Sequence, residues 1–162
     1  MRDSDDLTYG VLPLPDVVAE GGLAFLQGIV EGRHPQPPIC RTLGFQLTHV
    51  SAGKAVFTGT PSADHYNPIG TIHAGFAATL LDSCVACAVH SLVPPGTGYT
   101  TMELKVNLVR PITGDTGPVR AEGNIVHMGR RMATAEGRLT DSQGRLLAHA
   151  STTCMVLPPD PR

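Results

Sequence analysis

Tryptophan is missing from this 162-residue chain, and four Phe and three Tyr hold aromatics to 4% of the composition. A core without large rings has to be built from aliphatic, alanine, glycine and methionine side chains, which allow close backbone approach. That composition suits a sheet wrapped tightly around a helix. Charged residues are also scarce, at 16% against 41% apolar, so the bulk of the chain is not disordered. A basic excess is lacking: the formal net charge is -2, which excludes the neutralisation of a phosphate polymer and makes nucleic acid an unexpected partner. Charge is unevenly placed, because residues 1–39 carry two basic and six acidic side chains. An anion site is therefore expected in the later part of the chain. The first residues, Met-Arg-Asp-Ser-Asp-Asp, contain neither an apolar signal core nor an arginine-rich leader, so a cytoplasmic location is expected. The four cysteines (Cys40, Cys84, Cys87 and Cys154) have no disulfide-framework spacing, and a lone Cys-x-x-Cys lacks a second ligand pair. They read as reduced core thiols, and no metal is expected. Repeats and low-complexity tracts are absent as well, which leaves one domain and one site.

What is present reads as an α+β chain. From Asp16 to Glu31, Val18, Phe25, Leu26, Ile29 and Val30 share one helical stripe, which predicts a short helix in an N-terminal extension covering residues 1–39. Residues 40–157 form the main domain and 158–162 a tail. Leu43–Val50 and Ala55–Thr60 flank Ser51-Ala52-Gly53-Lys54, a hairpin spacing. In residues 101–109, Met102, Leu104, Val106 and Leu108 alternate with Thr101, Glu103, Lys105 and Asn107, the period-two pattern of a half-buried strand. Weaker alternation recurs in Val119–Met128, Met132–Thr140 and Leu146–Val156, separated by turn residues. The inward positions there are small: Ala121, Gly123, Ala133, Ala135, Gly137, Ala148 and Ala150 leave room for a helix against the sheet.

One segment can fill that room. Residues 72–93 are apolar nearly all round and stop at Pro94-Pro95-Gly96. A central Asp costs about 2.5–3.5 kcal/mol on membrane-insertion scales, and Ala, Cys, Ser and Thr offset little of it, so a bilayer span is excluded. In a water-soluble fold such a helix is buried on most sides. The expected architecture is a five- or six-stranded curved antiparallel sheet around one long central helix.

That helix holds a single carboxylate, Asp82, near its middle. A buried carboxylate needs a hydrogen-bond partner or a proton, and one with a raised pKa suits a general base or a nucleophile. Thr100 shares the strand face of Met102 and Leu104, so its hydroxyl is expected to point at the helix beside Asp82 while Thr101 points away. Ahead of the helix stands Asn67-Pro68-Ile69-Gly70-Thr71-Ile72-His73-Ala74-Gly75. A turn entering a helix leaves unsatisfied N–H groups, so Ala74 or Gly75 can receive a developing oxyanion with help from the Asn67 amide. No Lys-bearing phosphate loop follows, which favours an acyl carbonyl over a polyphosphate. His73 either works in the site or caps the helix locally. His65 and His73 lack a third metal ligand at a customary spacing.

The stretch His65-Tyr66-Asn67-Pro68-x-Gly70-x-x-His73-x-Gly75, followed by Leu80-Leu81-Asp82 and then Val106-Asn107-Leu108-Val109-Arg110-Pro111, resembles the PaaI-like branch of hotdog-fold acyl-CoA thioesterases over most of residues 25–157. In that family an Asn stands six residues before the motif His and a catalytic Asp nine after it, spacings met by Asn67, His73 and Asp82. Thr100 stands where the family has a Ser or Thr that assists the carboxylate. Ala74 replaces the first motif glycine; its N–H remains, and it is strained only where φ is positive. The resemblance implies a hotdog fold that hydrolyses a thioester between coenzyme A and a small or aromatic acyl group. Asp82 would be base or nucleophile, and no cofactor is needed beyond the CoA of the substrate. Arg110, Arg130 and Arg131 are candidates to hold the CoA nucleotide. Two other readings are a hotdog hydratase or dehydratase and a non-enzymatic acyl-CoA binding protein. From Gly75 to Asp82 is seven residues, about 10 Å of helix, too far for one water and one thioester to bridge. That distance, like the family resemblance, implies a homodimer or a dimer of dimers with sites shared between chains.

Overall fold

The computed structural model describes residues 7–157; residues 1–6 of the N-terminal extension and the 158–162 tail lie outside the described residues. Three short helices come first: α1 (Leu14–Ala19), α2 (Gly22–Glu31) and α3 (Pro38–Thr42). The hairpin β1 (Phe45–Ser51) and β2 (Lys54–Gly59) follows, then the long helix α4 (Ala74–His90). The chain closes with β3 (Gly98–Leu108), β4 (Val119–Met128), β5 (Met132–Asp141) and β6 (Leu146–Leu157). The six strands form one sheet in the order β1-β2-β4-β5-β6-β3, with every neighbouring pair antiparallel. This is the hotdog arrangement, a sheet wrapped around α4.

Burial explains why the apolar segment becomes the central helix. Leu80, Leu81, Val85 and Val89 are fully buried, as are Ala77, Cys84 and Ala88 on the same helix. Each large side chain removed from water contributes about 1.5–3 kcal/mol. The small residues of the sheet face them as their alternation predicts: Ala121, Ala133, Ala135, Ala148 and Ala150 are buried in the same core. At Gly137 an added Cβ would lie 2.7 Å from Val85 Cγ1, so the helix rests directly on the strand there. Cys40, Cys84 and Cys154 are buried free thiols and Cys87 is half-buried. Among the described residues no helix is long and apolar enough to cross a membrane.

The N-terminal helix read over Asp16–Glu31 is in fact two, broken at Glu20–Gly21. The cause is tertiary. Gly21 sits at φ 76°, and a Cβ on Gly22 would fall on the His90 carbonyl oxygen. The chain must break its helix and approach the end of α4 without a side chain, and the Gly22 N–H then donates to the Val93 carbonyl at 2.9 Å. Through this contact α2 brings Phe25 onto the buried His90, 5.7 Å between ring centres, with Tyr99 on the other side at 4.6 Å.

Burial among these rings pushes His90 down to about 4 from its ordinary 6.5. Between those two values the unfolded chain binds a proton that the folded chain does not, so stability is full above pH 6.5 and is lost as pH falls toward 4. The expected slope is about 1.4 kcal/mol per pH unit inside that window. Denaturant unfolding from pH 7 to 4 checks it: His90→Phe should flatten this component, and an unchanged profile would contradict the assignment.

Candidate active site

The turn before α4 is built by Asn67. Its Oδ1 accepts the N–H groups of Ile69 and Thr71, both at 3.1 Å, and its Nδ2 donates to Thr71 Oγ1 at 2.8 Å. The Asn67 N–H donates to the Thr71 carbonyl, and Gly70 takes φ 84° to close the loop. Asn67 is therefore the organiser of this loop, a role beyond that of a free amide awaiting substrate. The chain then enters α4 through His73, whose Nδ1 accepts the Gly75 N–H at 2.9 Å. A Cβ on Gly75 would sit 2.9 Å from that same Nδ1, so glycine is what admits the imidazole. The cap needs the Nδ1 lone pair and so specifies the tautomer with its proton on Nε2.

This corrects one expectation. Of the two N–H groups taken as oxyanion donors, the Gly75 N–H is engaged by His73, whereas the Ala74 N–H has no partner among the described residues and Ala74 is exposed. Ala74 is also unstrained, because no non-glycine residue among those described has positive φ. Replacement of the motif glycine thus leaves the donor in place. Asn67, His73, Ala74 and Arg110 all border one cleft of about 280 Å³, with Thr71, Ile72, Ala77 and the rest of residues 108–112 completing its wall. Gly75 is not among the residues that line it.

Asp82 stands two turns along the same helix, about 10 Å from Gly75, and outside that cleft. Burial raises its pKa above the ordinary carboxyl value, and a hydrogen bond from Thr101 partly opposes the rise. The Thr101 hydroxyl donates to Asp82 Oδ1 at 3.2 Å. Here the structure corrects the sequence expectation: Thr100 is exposed and makes no such bond, and its neighbour holds the carboxylate. The reason is a bulge in β3, where Thr101 pairs with Cys154 and Glu103 with Thr153, leaving Met102 unpaired and 57% exposed. Around Asp82 lie three further groups that sequence reading missed. They are Tyr99, Cys87 and Cys154, close enough to the carboxylate for their ionisation to couple with it. Burial pushes Cys87 up to about 12 and raises Cys154 and Tyr99 too, so all three are neutral where a carboxyl titrates.

The three arginines do not form one patch in this chain. The Arg110 guanidinium donates to the Leu146 carbonyl at 2.5 Å, at the end of β3 that borders the cleft. Arg130 and Arg131 are exposed in the β4–β5 turn, and the Arg131 carbonyl accepts the N–H of Val156, which pairs with Tyr99 at the other end of β3. Roughly 30 Å of strand separates the two positions. His65 serves the fold: its Nδ1 accepts the Ser62 N–H at 3.0 Å and its ring packs on Phe76.

A half-buried carboxylate with a raised pKa and an open helix-start N–H are the parts acyl hydrolysis uses, and known proteins point the same way. The thioesterase superfamily model matches residues 69–148, the span from the turn through Asp82 to β6. A 1,4-dihydroxy-2-naphthoyl-CoA hydrolase of Listeria monocytogenes is 24% identical over 71% of this chain and 92% of its own length. The phenylacetic acid degradation protein PaaI from Thermus thermophilus, solved as a mutant, is 30% identical, with a TM-score of 0.66 over 73% of this chain and 97% of that one. A thioesterase family protein from Silicibacter pomeroyi shares 25% identity and a TM-score of 0.71 over 82% of this chain and 98% of its own. The fold, the motif spacings and these likenesses agree: the chain belongs to the thioesterase superfamily, in the PaaI-like hotdog branch of acyl-CoA thioesterases.

Proposed function

We propose that this thioesterase cleaves a small or aromatic acyl group from coenzyme A, with Asp82 of one chain acting on a thioester whose carbonyl oxygen rests at the α4 start of a second chain. The observation that carries this reading is the helix itself: it bears one carboxylate, lifted by burial and held by Thr101, and an open Ala74 N–H in a cleft about 12 Å away along its axis. In the general-base route Asp82 takes a proton from water, the water oxygen bonds to the acyl carbon and the C–S bond breaks. The departing thiolate then takes up the proton. In the nucleophilic route a carboxylate oxygen bonds to the acyl carbon and expels the thiolate, and water then opens the anhydride. Either route consumes one water and yields acid and thiol with no cofactor. The Ala74 N–H meets the oxygen as charge develops on it. The hydrolase and thioesterase names of the relatives favour hydrolysis over hydration, and the unstrained Ala74 removes the reason to expect a binding protein without turnover. An aryl acyl group is suggested by the naphthoyl and phenylacetic relatives. Free, mostly buried cysteines support a reducing, cytoplasmic setting.

The shared site follows from the sheet. β3 is an edge strand of eleven residues with one side unpaired, and a long bare edge invites pairing with another chain. Antiparallel pairing of two β3 edges about a two-fold axis lays the Thr101 end of one beside the Arg110 end of the other. That would set Asp82 against the partner's cleft, and the Arg130–Arg131 turn near the partner's Arg110, where the nucleotide of CoA has cations to meet. Arg110, already at the cleft, is the first of the three to test for CoA binding. The experiment mixes Asp82→Ala subunits with Asn67→Ala subunits, each first shown to be inactive alone, after mild unfolding and refolding. Half the dimers are then mixed, each with one intact site of two, so thiol release should return to about a quarter of wild type. No return, with mixed dimers shown to form, would place each whole site within one chain.

A further inference from the structure

The cleft has two walls: the Asn67 turn with the start of α4, and residues 108–112. The second wall begins where β3 ends at Leu108. Its base is fixed to β6, because the N–H groups of Val109 and Arg110 both donate to the Leu147 carbonyl, at 2.8 and 3.0 Å. Two bonds then reach this segment from the α4 side. The Ile72 N–H donates to the Ile112 carbonyl at 2.9 Å, a backbone bond that any residue but proline can make. The other uses a side chain: the Tyr66 hydroxyl accepts the Gly114 N–H at 3.0 Å. Tyr66 is itself held in place. Its backbone bridges to Ile72, and the neighbouring His65 carbonyl accepts the His73 N–H at 2.7 Å. The phenol therefore starts from the same short ladder that delivers His73 to the α4 cap. Gly114 is fitted to it from the other side. Its φ is not positive, so its backbone could carry a side chain, yet an added Cβ would stand 3.1 Å from the Tyr66 hydroxyl oxygen. The glycine makes room for the phenol.

We propose that Tyr66 is a positioning residue for coenzyme A: its hydroxyl ties residues 108–112 to the α4 start and so sets the reach from the Ala74 N–H to the Arg110 guanidinium. This rests on the proposed function, in which the thioester oxygen meets Ala74 and Arg110 meets the CoA nucleotide. Contacts at both ends of one substrate gain from walls already held at the binding separation, because less of the protein is then ordered on association. Neither Tyr66 nor Gly114 lines the cleft, so the pair acts from behind the walls and touches no reacting atom. Loss of the bond leaves Asp82 and the Ala74 N–H on α4 where they are. Its effect therefore falls on CoA binding and spares the chemical step.

The test compares Tyr66→Phe, which keeps the ring and cannot accept, with Gly114→Ala, which displaces the phenol. Each is assayed on an acyl-CoA and on the same acyl group carried by N-acetylcysteamine, a thiol with no nucleotide. Both variants should raise KM for the acyl-CoA about 3- to 10-fold, the range for one lost hydrogen bond, with kcat within about 2-fold of wild type. KM for the short thioester should not move. The double variant should match the single ones, because each substitution removes the same bond. An equal change for both thioesters, an unmoved KM for the acyl-CoA, or additive effects in the double variant would overturn the positioning role. An Arg110→Ala enzyme with the wild-type KM for the acyl-CoA would instead overturn the reading of Arg110 on which it rests.

Discussion

Asp82→Asn is expected to fold and to lose acyl-CoA turnover by about 10²- to 10⁴-fold, the usual contribution of a positioned base. The amide keeps the shape of the carboxyl and still accepts from Thr101 through its oxygen, but it can neither take a proton from water nor form an anhydride. The same substitution is expected to raise stability at neutral pH. Burial lifts the folded carboxyl above its ordinary 3.8, so the ionised group is disfavoured in the folded state relative to the unfolded chain. That cost is present in full above the raised folded value and disappears as pH falls toward the ordinary one. Asparagine removes it, and each kcal/mol relieved raises Tm by about 2–4 °C in a chain of this size. Release of free thiol from a panel of acyl-CoA thioesters, with thermal unfolding at pH 7 and at pH 4, tests both halves. A variant that turns over at the wild-type rate would remove Asp82 from the mechanism, and one that melts lower at pH 7 would deny the stability cost.

Gly123→Ala is expected to cost at least about 3 kcal/mol, a large part of the 5–15 kcal/mol that holds a typical domain together. An added Cβ would overlap the Cys84 carbonyl and stand 2.7 Å from the Val85 nitrogen. Both are backbone atoms of the buried α4, so no rotamer change can relieve the contact, and the helix would have to lift from β4. Lifting it opens the core around Leu81 and Val85, which are fully buried. Gly98 in β3 offers the comparison, since a Cβ there meets only Leu157, no nearer than 3.7 Å, an ordinary contact. Gly98→Ala should lie within about 0.5 kcal/mol of wild type. Urea midpoints for the two variants decide the matter, and equal effects would show that close helix-to-sheet approach at Gly123 is not what the glycine provides.

Neighbouring residues alone encode much of this protein. Strand alternation placed Ala121, Ala133, Ala135, Ala148 and Ala150 on the core side, and the structure buries all of them. An apolar run interrupted by one Asp specified the central helix, and the spacing from Asn67 to His73 to Asp82 marked the family. These signals are legible because a period of 2 or 3.6 residues, or a motif, is written in consecutive positions. Features that depend on two distant segments meeting are set by the folded chain. Alternation counted from Leu104 assigns Thr100 to the helix, and the unpaired Met102 opposite β6 gives that place to Thr101. The break between α1 and α2 was hidden until the His90 carbonyl was seen against Gly22. Arg110 and the Arg130–Arg131 turn shared a charge sign in sequence and stand at opposite ends of β3 in space. In each case the deciding contact joins residues far apart in the chain, and pairing register and close packing are set by those contacts with no local signal in either segment alone.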